Sequence, residues 1–111
     1  MSIDMSIEGL QNAFRNNTLS PAALMQEIRA KAATLSEHNI WIHLLTVEEQ
    51  APYLEGLKNK DPQSSPLWGI PFAIKDNIDL ANIPTTAGCE AFAYTPEKNA
   101  YVVQQLIDAG A

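Results

Sequence analysis

With 111 residues, 46% of them hydrophobic, the chain has room for one domain around one modest core, and general disorder is excluded. Its net charge of −6 repels a long anionic polymer, no Lys/Arg cluster makes a local exception, and no apolar run approaches the about 18 residues of a membrane helix. Nucleic acid and bilayer are therefore not expected as partners; Asp4 and Glu8 break the pattern of a secretion signal, and the lone Cys89 lacks an internal disulfide partner, so a cytoplasmic location is the default expectation.

Taken in order, Ser6 followed by Ile7, Leu10 and Phe14 predicts a short first helix, stopped by Asn16-Asn17-Thr18. Ser20-Pro21 supplies a cap and first-turn proline for a second helix, with Leu24, Met25, Ile28, Ala32 and Leu35 on one face. Ile40 to Leu45 is a compact apolar run whose length suits a strand or a buried extended segment. Thr46 and Glu49 have the spacing of a capping box for a third helix carrying Ala51, Leu54 and Leu57 inward. Pro52 opposes that start, because a proline inside the helix removes a hydrogen bond and favours a start nearer Ala51. Polar and proline residues from 58 to 66 make a surface loop, so residues 1–65 are expected to be a mostly helical layer.

The pattern changes in PLWGIPFAIKDN, Pro66 to Asn77. A turn at Pro66 and Gly69 leads into a short apolar strand from Ile70 to Ile74, closed by Lys75. The run DNIDLANIPTTAG has little periodicity and is expected to be a long ordered loop, a place where function often resides. Thr95-Pro96 offers the cap of a final helix with Val102, Val103, Leu106 and Ile107 on its apolar face, and Gly110 offers its stop. Residues 66–111 thus read as strand, loop and helix, the first three-quarters of a βαβ unit in an α/β fold, whose next parallel strand is expected after Ala111. The expectation is an N-terminal fragment of a larger protein, or a chain that recovers its missing partner from another copy in a homo-oligomer.

Lys75 is the residue most open to a chemical reading. Lysine is strongly hydrated, so one that closes an apolar run either reaches solvent, pairs with a carboxylate such as Asp76 or Asp79, or is held as a base in a cleft at the end of its strand. Asp76 and Asp79 have a spacing that suits an acid/base pair, structural hydrogen bonds or that salt bridge. Cys89 has no histidine close in sequence to activate it and reads as a packed or loop cysteine. His38 and His43 lack the spacing of a helical ligand pair, so no metal is expected.

GIPFAIKDN at Gly69 to Asn77, followed by Pro84-Thr85-Thr86 and by Ala100 to Val103, resembles the lysine-bearing region of the amidase signature family. The resemblance implies an α/β fold with a central mixed sheet and a Ser, cis-Ser, Lys triad without cofactor, in which Lys75 acts through a bridging serine on the nucleophile. Within the family, the stretch from Asn77 to Cys89 with Phe92 to Pro96 is most similar to allophanate hydrolases, which complete urea degradation by releasing ammonia and carbon dioxide from allophanate. Thr85 and Thr86 are then candidates for shaping the substrate pocket. Asn82 stands where a glycine is usual and Glu90 where a proline is usual; asparagine tolerates a left-handed backbone, while Glu90 would alter the loop near the site.

The family's serines lie in a Gly/Ser-rich stretch that has no counterpart here, since Ser64-Ser65 precedes the lysine and lacks flanking glycines. This chain alone is accordingly expected to be inactive. Two other readings remain at this point. One is another small-amide amidase or the transamidating component of a glutamyl-tRNA amidotransferase; the other is a non-catalytic interaction or oligomerisation module.

Overall fold

A computed structural model describes residues 2–111, with helices α1 (Ile7–Arg15), α2 (Pro21–Thr34), α3 (Val47–Leu57) and α4 (Tyr101–Asp108) and short 3-10 turns at Ser36–His38 and Glu90–Phe92. The first three helices begin where their caps predict. Ser6 Oγ accepts from Gly9 N at 3.0 Å and Ser20 Oγ from Ala23 N at 3.2 Å, each satisfying an amide that has no partner in the first turn. At α3 the capping box is complete: Glu49 N donates to Thr46 Oγ1 at 3.1 Å and Thr46 N donates to Glu49 Oε1 at 2.9 Å. The helix therefore starts at Val47 and runs through Pro52. Pro52 and Glu48, whose carbonyl loses its helical donor, are both exposed, so solvent can reach that oxygen.

The core lies where α1 and α2 meet the turn ahead of the lysine segment. Leu10, Leu24 and Ile70 are buried together, with Phe14, Leu19, Ile28 and Leu67 packed around them. Trp68 sits edge-on to Phe14, ring centroids 5.8 Å apart, and its indole donates to the Leu57 carbonyl at the end of α3. Gly69 lies on a left-handed backbone, φ 75°, and a Cβ there would stand 2.8 Å from Pro21 Cγ and 2.9 Å from Phe14 Cε2. Only glycine allows this approach.

The last helix closes on the same turn. Gly110 takes φ 101°, Gly110 N donates to Ile107 O, and Ala111 N donates to Leu106 O, the paired bonds of a Schellman stop. Leu67 N then donates to Ala109 O and Gly69 N to Gly110 O, both at 2.9 Å. The start of the lysine segment is thereby tied to the end of α4.

Three expectations are corrected. The last helix begins at Tyr101 and not after Thr95-Pro96, and its N-cap Ala100 supplies no side-chain bond. The intervening residues are engaged with the preceding loop instead: Asn82 N donates to Pro96 O at 2.8 Å, Ala81 N to Asn99 Oδ1 at 2.8 Å and Ala100 N to Asp79 O at 3.0 Å. Next, no strand forms among the described residues. Ile70–Lys75 has the composition of one, but a strand exists only as part of a ladder, and the sole β-type pairing described is the isolated antiparallel bridge Thr85–Tyr94. Finally, the 40–45 run is not buried: Ile40 is 58% and Ile42 66% exposed.

Candidate functional site

Lys75 is exposed and lines a groove of about 640 Å³ together with Trp41, His43, Phe72, Ile74, Ile78 and Thr85. The turn after it is closed by Ile78 N donating to Lys75 O at 2.9 Å. Neither neighbouring carboxylate pairs with the amine: the ion pairs among the described residues are Glu37–His38, His43–Glu49 and Glu55–Lys58. Of the readings open to Lys75, the salt bridge to Asp76 or Asp79 is therefore not the one formed. The structural hydrogen bonds that the same spacing suggested are present.

Asp76 turns back onto the loop. One carboxylate oxygen accepts from Thr86 N at 3.1 Å, the other from the Thr86 hydroxyl and from Gly88 N at 3.4 Å, while the Asp76 carbonyl accepts from Ala87 N at 2.8 Å. The Thr86 hydroxyl, with the Thr86 amide behind it, holds the Asp76 carboxyl below the usual carboxylate range, because each favours the charged acceptor. Asp79 fixes the second half of the loop, accepting from Thr85 Oγ1 at 2.9 Å and from the Tyr94 hydroxyl at 2.6 Å. That bond to Asp79 also raises the Tyr94 phenol, since ionising it would place two anions in contact.

Thr85 and Thr86, the candidates for shaping a pocket, thus spend their hydroxyls on Asp79 and Asp76, and Thr85 is 3% exposed. Asn82 adopts φ 67°, the left-handed backbone that asparagine tolerates. Glu90 is exposed and opens the 3-10 turn that follows Cys89, itself exposed. His43 is engaged with Glu49 at 2.8 Å and His38 sits beside Glu37, so the two histidines serve different neighbours. Ser64 and Ser65 belong to a turn on the Asp61 carbonyl and do not line the groove. Tyr94 and Asn99 are the loop-holding residues that sequence reasoning misses, because each bonds a partner 15 or more positions away with no local signal.

A groove-lining lysine thus stands at the end of an apolar segment, backed by a loop fixed on two carboxylates. A family model described as Amidase matches residues 23–111, and the chain belongs to that family. Among solved structures, selenomethionine-substituted allophanate hydrolase of Kluyveromyces lactis superposes with a TM-score of 0.77 at 33% identity, over 96% of this chain and 18% of that one. Urea amidolyase of the same yeast gives the same score and identity, with 6% of its chain covered. By sequence, urea amidolyase of Saccharomyces cerevisiae is 45% identical over 74 residues, 66% of this chain and 4% of that protein. A glutamyl-tRNA(Gln) amidotransferase subunit of Lawsonia intracellularis is 54% identical over 52 residues, 46% of this chain and 10% of that protein. The chain thus spans less than a fifth of each of these relatives, and the family read from Gly69 to Val103 is borne out.

Proposed function

We propose that this chain is the lysine-bearing N-terminal part of an amidase that hydrolyses allophanate, with Lys75 as the base. The observation that carries the reading is the likeness to allophanate hydrolase over 96% of the chain, with Lys75 on the groove rim and free of carboxylate pairing. In the complete protein, the Lys75 amine takes a proton through a bridging serine from the nucleophilic serine as that oxygen attacks the amide carbon. The proton then passes to the leaving nitrogen, ammonia departs, and water hydrolyses the acyl-enzyme by the same relay. Thr85 and Thr86 contribute to the pocket as wall and scaffold, their hydroxyls being committed to the loop carboxylates. In the same reading, Ile70–Lys75 becomes a strand of a mixed sheet once a neighbouring strand supplies its ladder.

The test is Lys75→Met in the complete protein. Allophanate hydrolysis should fall by roughly 10²–10⁴-fold, the usual contribution of a general base. Retention of full hydrolysis would refute the assignment. The identity to the amidotransferase component favours a second reading, in which the substrate is glutamine and the acceptor a charged tRNA; a net charge of −6 weighs against binding that polyanion. Parallel assays with allophanate, simple amides and glutamine-dependent transamidation separate the two.

A further inference from the structure

We propose that Asp76 is a positioning residue for Lys75, clasping the Thr86–Gly88 turn against the end of the lysine segment so that the amine enters the groove in one direction. This rests on the reading of Lys75 as the base. Three observations carry it. Asp76 follows Lys75 directly in the chain, yet its carboxylate does not pair with the amine and instead gathers Thr86 N, Thr86 Oγ1 and Gly88 N, while its carbonyl takes Ala87 N. The turn it gathers carries backbone strain for the clasp to offset, because Ala87 at φ 51° is left-handed and its Cβ disfavours this region, while Gly88 at φ 74° takes it freely. The clasp also stands apart from the cluster of Leu10, Leu24 and Ile70, so loosening it leaves the core packed.

The chemical demand is specific. A lysine side chain has four rotatable bonds, and a base that hands protons through a serine must hold its nitrogen within hydrogen-bond reach of that oxygen. Fixing the main chain on the carboxyl side of Lys75 sets the direction of its Cα–Cβ bond, the common origin from which those four torsions reach into the groove. A carboxylate is needed because both of its oxygens accept; an asparagine keeps one acceptor for Thr86 N and turns a donor toward the Thr86 hydroxyl and Gly88 N.

The experiment uses the complete protein and whichever amide it hydrolyses, with Asp76→Asn, Thr86→Val and Lys75→Met measured side by side. Asp76→Asn should lower kcat by roughly 10–100-fold, the scale of a misplacement of about 1 Å, with KM within about twofold of the parent. Amide hydrogen exchange at Thr86, Ala87 and Gly88 should speed up while that of Leu10 and Leu24 is unchanged. Thr86→Val, which removes the donor and keeps the carboxylate, should give a smaller kcat loss in the same direction. The double variant should lose less than the sum of the two single losses, because the Thr86 hydroxyl bond to Asp76 is common to both. Parental kcat in Asp76→Asn, or unchanged exchange at the turn, overturns the proposal. If Asp76→Asn does not fold, Thr86→Val decides: parental kcat there overturns it equally. Full activity in Lys75→Met defeats the catalytic assignment and this inference with it, whereas an inactive Lys75→Met beside a fully active Asp76→Asn defeats the clasp alone.

Discussion

Gly110 carries three constraints in one residue. Its φ of 101° is left-handed, its added Cβ would stand 2.7 Å from Trp68 Cα and 2.9 Å from Trp68 N, and its carbonyl holds Gly69 N. The obstruction is main chain and cannot rotate aside. Gly110→Ala should therefore add a left-handed penalty of about 1 kcal/mol to an overpacking cost of about 1–3 kcal/mol. A urea-denaturation midpoint that falls with an unchanged slope is the expected result, and an unchanged midpoint would count against this account of the contact. Sequence alone reads Gly110 as a helix stop, which is correct, but the apposition to Trp68 involves a turn far away in the chain and leaves no trace in the local pattern. Asn82 is legible for the opposite reason: its tolerance of a left-handed backbone is a property of the residue itself.

At the scale of elements, what is local is legible. Ser6, Ser20 and Thr46 announce the starts of α1, α2 and α3 because a cap satisfies amides two or three residues away. Thr95-Pro96 carries the same local signal and does not start α4, since Pro96, Asn99 and Ala100 are drawn into bonds with Asn82, Ala81 and Asp79. The lysine loop is likewise recognisable as a loop from its composition, while the bonds that shape it, Asp76 to Thr86 and Asp79 to Tyr94, are not. The capping box of α3 makes a pH prediction. The Thr46 amide, aided by His43, holds Glu49 below the usual glutamate range against the opposing effect of burial. A lowered folded-state pKa means that the charged box stabilises above the unfolded value of about 4.3 and that this stabilisation is lost as pH falls through the lower folded value. Glu49→Gln keeps an acceptor but removes the charge, so the parent should be the more stable at pH 7 and the difference should vanish in acid. Equal stability of the two at every pH would contradict the assignment.

At the scale of the whole molecule, large apolar side chains reach the surface at several places. Trp41, Ile40, Ile42, Phe72, Phe92, Tyr101 and Val102 are all exposed, with Tyr101 at 79%. The two apolar runs, 40–45 and 71–74, contribute no main-chain hydrogen bond among those described outside the helices. No helix among the described residues is long and apolar enough to cross a membrane. Surface of this kind is buried by further protein or drives association. Residues 1–111 expressed alone should therefore bind an apolar dye, show a mass above that of a monomer in light scattering, and hydrolyse no amide. A dye-silent monomer would argue that these faces are self-sufficient.

The pair of bonds from Leu67 and Gly69 to Ala109 and Gly110 bears on how the protein is made. A chain leaves the ribosome from its N-terminus, so α1, α2 and their Leu10–Leu24 contact are available while the lysine segment is still emerging. Ile70 can join that contact as soon as it emerges, whereas the Leu67 and Gly69 amides at the start of the segment gain their partners only when Ala109 and Gly110 are free of the exit tunnel. A chain arrested ahead of Ala109 should therefore hold Ile70 in the core while these two main-chain donors still lack their acceptors.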